Sequence, residues 1–96
     1  MKVPAVYIMA TKNNATLYIG VTSNLIQRVY QHKHHQVDGF TKKYHVDKLV
    51  YFELHQEMTT AIQREKTLKK WLRDWKNDLI SSQNPEWRDL WQDVIQ

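Results

Sequence analysis

Cysteine is absent from this chain of 96 residues, and glycine and proline occur only twice each. The first absence excludes a disulfide framework and a thiolate-bound zinc, and is consistent with a reducing compartment. The second argues against long disordered linkers. No apolar run approaches the ~18 residues of a membrane span. The opening MKVPAVYIMA has one lysine and a Pro4 too early for the apolar region of a signal peptide. The expected location is therefore cytoplasmic, without membrane association. Internal repeats and low-complexity stretches are also lacking. The length suits one domain, 1–96, with a core over about 3–80 and a docking helix over about 85–95; at this size roughly two-thirds of the unfolded surface can be buried. Packing must supply the stability, and four tryptophans, five tyrosines and two phenylalanines are the side chains that bury most area each. The formal charge of +4 favours a polyanionic partner, though only weakly.

Two strands and a helix organise the first third. Val3 to Met9 alternates as a strand, Thr11-Lys12-Asn13-Asn14 is a turn, and a second strand starts at Thr16, giving an antiparallel hairpin. In that strand Leu17, Ile19 and Val21 face one way, Tyr18 and Gly20 the other. Asn24 followed by Gln27 suits a helix cap with its reciprocal partner, and Leu25, Ile26 and Val29 continue as a buried stripe. Arg28 and His32, one helical turn apart, lie within reach of the Tyr18 face. A phenol, a guanidinium and an imidazole thus converge; the plainer reading is a surface arginine, a surface histidine and a half-buried tyrosine. The hairpin brings Tyr7 near Tyr18, either as a core aromatic or as a second phenol at that site. After the helix ends near Lys33 or His34, residues His34 to Phe40 read as a loop. His32, His34 and His35 do not suggest zinc, because neither a cysteine nor a second histidine pair is near to complete four ligands. Lys42 and Lys43, between Phe40 and Tyr44, suit phosphate contact and base stacking, or a solvated loop with one anchoring ring.

Lys48 to His55 is a third strand, with Val50, Phe52 and Leu54 on one face and Leu49, Tyr51, Glu53 and His55 on the other. Thr60 with Gln63 offers another capping box, and helix follows with no glycine or proline before Pro85. Ala61, Leu68, Leu72, Trp75 and Leu79 form an apolar stripe for the sheet, across a bend between two helices. Glu65 falls on the same stripe. A carboxylate facing a core needs a partner, and the candidates are Arg28 and a divalent cation. Lys66, Lys69, Lys70, Arg73 and Lys76 make a basic face, suited to a phosphate backbone or simply to solubility. Asn84-Pro85-Glu86 reads as the start of a last helix that docks by Trp87, Leu90, Trp91 and Val94.

Tyr7 stands eleven residues before Tyr18, and Val6-Tyr7, Tyr18-Ile19-Gly20, Arg28, His32 and Glu65 together resemble the GIY-YIG nuclease domain. The likeness covers nearly the whole chain and is strongest to small stand-alone bacterial members, through Gly39–Tyr44, Leu49–Glu53 and Asn84–Leu90. The first triplet departs from the name, being Ala5-Val6-Tyr7, but keeps the tyrosine.

The resemblance implies an α+β fold, α/β in the broad sense, with a small three-stranded antiparallel sheet flanked by helices. It implies metal-dependent endonucleolytic hydrolysis of phosphodiester bonds in DNA, with RNA also open, in DNA repair, recombination or processing, and no small-molecule cofactor. Glu65 is implied as sole protein ligand of one Mg2+ or Mn2+, in keeping with the habit of magnesium of retaining several waters. Tyr7, Tyr18, Arg28 and His32 are the implied catalytic groups: Tyr7 as base toward water, Arg28 on a phosphoryl oxygen, Tyr18 positioning that water or a phosphate oxygen, and His32 orienting or deprotonating Tyr7, with the last two assignments exchangeable and the choice of base between Tyr7 and Tyr18 open. Lys42, Lys43, Lys66, Lys69, Lys70 and Arg73 are the candidate nucleic-acid contacts, and Asn77 or Asn84 the late active-site asparagine. Two other classes fit the same residues: a nucleic-acid-binding module without turnover, and an interaction domain using the tryptophans of the last helix.

Overall fold

Strand β1, Ala5–Ala10, is buried along its whole length, which its run of small and aliphatic residues allows and a central strand requires. It pairs antiparallel with β2, Leu17–Thr22, on one side and β3, Lys48–Leu54, on the other, so the sheet order is β2-β1-β3. Helices α1 (Leu25–Lys33), α2 (Phe40–Tyr44), α3 (Met58–Lys69), α4 (Arg73–Gln83) and α5 (Trp91–Val94) complete an α+β architecture. This computed structural model describes residues 2–37 and 39–96; Met1, and Asp38 within the expected loop, lie outside the described residues.

Alternation along β1 divides the interior in two. Val6, Ile8 and Ala10 meet Ile19, Val50, Tyr51 and, from α3 and α4, Ala61, Leu68 and Ile80. Ala5, Tyr7 and Met9 meet α1 through Leu25 and Val29, together with Val46, Leu49 and Leu90. Tyr7 lies opposite Gly20 in the β1–β2 pairing. Its ring fills the space that a side chain at Gly20 would take, since a Cβ there would fall 2.4 Å from the Tyr7 hydroxyl.

Helix α1 starts as expected: the Asn24 side chain accepts from the Gln27 N–H at 3.2 Å. The reciprocal contact is supplied differently, by the Thr22 hydroxyl accepting from the Asn24 N–H at 3.0 Å. Ile26 does not join the buried stripe and is half exposed. The segment after Gly39 is not wholly a loop, because Phe40–Tyr44 closes into a short helix that buries Thr41.

Three further expectations are corrected. In β3 the register shifts between Ile8 and Met9, which pair with Tyr51 and Leu49, leaving Val50 as an inserted bulge residue. The bulge reverses the alternation: Val50 and Tyr51 both face α3, whereas Leu49 and Phe52 face α1, so Val50 and Phe52 do not share a side. Helix α3 begins at Met58, before the expected capping box, and the Thr60 hydroxyl donates to the Glu57 carbonyl inside the first turn. Between α3 and α4 Leu72 is extended, which resets the helical phase; Leu72 and Trp75 turn outward, Leu79 packs on the core as expected, and Trp71 and Ile80 join it.

The last segment is a strap rather than a helix from residue 85. Asn84 is buried, its Nδ2 donating to the carbonyls of Val50 (3.0 Å) and Arg88 (2.8 Å), and its Oδ1 accepting from the Arg88 N–H. Trp87, at φ 52°, interrupts helical geometry, and helix forms only at Trp91–Val94. The strap passes along the outer margin of β3: the Leu90 N–H donates to the Leu49 carbonyl at 2.8 Å, and the Gln83 amide brackets Phe52. Trp87 packs on the α3 side, and Leu90, Trp91 and Val94 on the α1 side.

Candidate active site

The tyrosine of β1, the tyrosine of β2 and the histidine of α1 form one cluster. Ring centroids are 6.4 Å apart for Tyr7 and Tyr18, 5.6 Å for Tyr7 and His32, and 5.5 Å for Tyr18 and His32. Helical periodicity places His32 on the same buried side of α1 as Leu25 and Val29, so the imidazole is buried rather than a surface group. Its Nε2 is 2.9 Å from the Tyr7 hydroxyl and its Nδ1 is 3.1 Å from the Thr41 hydroxyl. Burial, and secondarily the Arg28 charge, bring the His32 pKa down to about 4, so the ring is neutral at pH 7. In the tautomer whose Nδ1–H donates to Thr41, Nε2 is free to accept the phenolic proton.

Tyr7 is held well above the usual value near 10, by burial first and by Tyr18 next; Arg28 pulls it down and Glu65 pushes it up. Both charges are thus felt at the Tyr7 hydroxyl. Arg28 is half-buried on α1 and makes no ion pair among the described residues. Glu65 is pulled largely out of water, its side chain 14% exposed, and pairs with Lys69 one turn on at 2.9 Å; Lys69, not Arg28, is its protein partner. A cleft beside β2 is lined by Leu17, Tyr18, Ile19 and Phe40 together with Lys69 of α3 and Lys76 of α4, linking those helices to the tyrosine cluster. Phe40 stacks on Tyr18 with centroids 6.4 Å apart.

The remaining candidates divide. Lys66, Lys70, Lys42 and Lys43 are exposed, and Lys43 lies over the Tyr44 ring. Arg73 is engaged elsewhere, donating to the carbonyls of Asn14 (2.6 Å) and Ala15 (3.0 Å) and to Asn77 Oδ1 (2.9 Å), so it ties α4 to the β1–β2 turn. The Asn84 side chain is fully occupied by Val50 and Arg88, whereas the half-buried Asn77 accepts from Arg73 through its Oδ1 alone. Thr41 is the member that sequence reasoning missed. Its only signal was membership of the Gly39–Tyr44 segment, because nothing in its spacing from His32 shows that α2 folds back over α1.

Comparison with known proteins shows the family of the chain. The model of the GIY-YIG catalytic domain matches residues 3–78, and the chain belongs to that family, whose members are nucleases that act on DNA and generally depend on a divalent metal. Within it the chain is similar to small stand-alone proteins. A UPF0213 protein of Clostridium perfringens (strain 13 / Type A) is 38% identical over 79 residues, 82% of this chain and 84% of that one. Another, of Syntrophus aciditrophicus (strain SB), is 35% identical over 82 residues, 84% of this chain and 92% of that one. The solution NMR structure of a UPF0213 protein from Bacillus halodurans shares the fold, with a TM-score of 0.57 at 22% identity over 90% of both chains. Among the described residues no helix is long and apolar enough to cross a membrane.

Proposed function

We propose that this chain is a metal-dependent endonuclease that hydrolyses phosphodiester bonds in DNA in the cytoplasm, within repair, recombination or processing. The observation that carries the reading is the buried hydroxyl of Tyr7 on a neutral His32 that is itself anchored by Thr41.

Cleavage needs an oriented nucleophilic water, compensation of charge on the phosphoryl oxygens and help for the departing oxygen. The guanidinium of Arg28, which makes no ion pair among the described residues, supplies a fixed fork of donors for a phosphoryl oxygen, a geometry lysine lacks. Tyr7 can take the proton of the water only as its phenolate, its own proton having first left to solvent, a form that the charge of Arg28 favours and that a cation held by Glu65 would favour further; Tyr18 positions that water or a phosphate oxygen. With a pKa near 4, His32 is too weak a base to strip Tyr7, so its part is to aim the phenol. Burial and Glu65 oppose formation of the Tyr7 phenolate, and Arg28 favours it. Glu65 suits a magnesium or manganese ion: it is a lone carboxylate withdrawn from water, and its present partner is a half-exposed lysine that can swing away. When bound, such an ion supplies positive charge that polarises the phosphate and assists the leaving oxygen. Asn77 is the better late asparagine, since Asn84 has no polar group to spare.

Labelled single-stranded, duplex, flap and RNA substrates, with magnesium, manganese or chelator, test the reading. Cleavage by the wild type that disappears in Glu65→Ala and Arg28→Ala, with the fold intact by circular dichroism, is the expected result. No product from any DNA substrate in either metal would end it. One observation, the Lys69 hold on Glu65, favours a second reading as a binding module without turnover. Its mark is salt-sensitive DNA binding, unchanged in Glu65→Gln, with no cleavage.

A further inference from the structure

Outside the tyrosine cluster, a second group of ligating side chains comes together that no sequence spacing announces. His35 lies just past α1, His45 ends α2, and Asp47 precedes β3. Their donor atoms all lie within 4.8 Å of one another. His35 Nε2 is 3.8 Å from Asp47 Oδ2, and the two imidazoles meet edge to face at 5.1 Å. His35 Nδ1 is buried and has no hydrogen-bond partner among the described residues, which is costly for an imidazole. The backbone around the group is pinned. The His35 N–H donates to the His32 carbonyl, Val46 is buried, and Lys33 Nζ donates to the Asp47 carbonyl at 3.1 Å.

We infer that His35, His45 and Asp47 bind a divalent transition metal of the zinc type, separate from any ion at Glu65, which fastens the two ends of the segment 35–47 together. Zinc holds nitrogen and oxygen donors at about 2.0–2.2 Å in a tetrahedron, which sets them ~3.4 Å apart, so the three side chains need to draw in by roughly an ångström. Two imidazoles and one carboxylate select zinc over magnesium or calcium, which take oxygen. An open hollow lined by Thr11, Lys12, Asn13, Tyr44, His45 and Asp47 borders the group and would admit a water to a fourth place. Lys12 on that rim opposes the cation, and Asp47 offsets it.

The position gives the ion a role. The clasped segment carries Phe40, which stacks on Tyr18, and Thr41, which anchors His32. Fastening its ends therefore steadies the cover over the tyrosine cluster, whether or not that cluster cleaves DNA.

The test uses full-length protein carrying Glu65→Gln, stripped with chelator and titrated with Zn2+ against a competing indicator and with Co2+ for its visible bands. One equivalent should bind, with Co2+ bands of a four-coordinate site, and amide exchange across 39–44 should slow on adding Zn2+. His45→Asn and Asp47→Asn should each weaken Zn2+ binding at least tenfold and abolish the slowing. Asparagine is chosen for His45 because this residue has φ 55°, which asparagine tolerates; Asp47→Asn keeps the shape of the side chain. Equal Zn2+ affinity in parent and variants overturns the proposal, as does binding that survives in both but is lost in His34→Ala.

Discussion

Gly20 and Tyr7 are a single steric unit. No positive φ requires glycine at position 20; what requires it is the phenol lying against its bare Cα. Gly20→Ala should push the Tyr7 ring off His32, lowering cleavage at least tenfold and stability by about 1–3 kcal/mol, the usual range for overpacking. Nicking assays and urea unfolding on the same protein would check it, and activity at the wild-type level would show that the phenol's placement is immaterial. His32 makes a separate pH-dependent contribution. Its pKa is about 4 in the fold and 6.5 unfolded, so between these values the unfolded chain binds a proton that the folded chain excludes. This contribution is complete above pH 6.5 and is lost as the pH falls toward 4, to the extent of about 3 kcal/mol. The difference in unfolding free energy between wild type and His32→Gln, measured from pH 7 to pH 4, should narrow by that amount. At this scale the sequence was legible where spacing places a side chain within one element or across one hairpin. Tyr7, Tyr18 and His32 were found that way; Thr41 was not, because α2 brings it in.

Among the elements, hydrophobic pattern identified all three strands and the first helix, but it carried no record of an extra residue. The Val50 bulge changes no residue type, yet it reverses which side chains of β3 share a face. The extended Leu72 likewise breaks the stripe that continuous helical spacing suggests across α3 and α4. The cap-like Asn84-Pro85-Glu86 misled for a chemical reason: the same asparagine that can cap a helix here bonds to the margin of β3 and closes its own loop on Arg88. Asn84→Ala removes three hydrogen bonds and leaves the Val50 carbonyl buried without its donor. The expected loss is about 2–3 kcal/mol by urea denaturation, with faster amide exchange at Leu90. A loss under half a kcal/mol would mean that the apolar contacts of Leu90 and Trp87 hold the strap alone.

For the molecule as a whole, the net charge of +4 gives little guidance, but the distribution of lysines does. Arg73 belongs to the scaffold and Lys69 and Lys76 to the cleft, so the basic face of the two helices divides into parts with different duties. If both cleft lysines meet phosphates of a duplex, Lys69→Ala with Lys76→Ala should lower the slope of log affinity against log salt by about 2, at about 0.9 per phosphate contact. Arg73→Ala should leave the slope as it is and lower the melting temperature. Titrations of DNA binding at several salt concentrations separate the two effects. Glu65 was legible as an anomaly of burial, and its partner was not, since one turn of helix offers Lys69 as readily as a fold offers Arg28.

The family match stops at residue 78, short of the strap. A protein shortened to that boundary would keep every residue of the tyrosine cluster but lose the second half of α4 with Leu79 and Ile80, and with the strap the cover of β3, laying bare the carbonyls of Leu49 and Val50. Uncovered margins of this kind recruit copies of themselves. Such a shortened protein should scatter light and precipitate on concentration, so its inactivity would say nothing about the chemistry of the cluster.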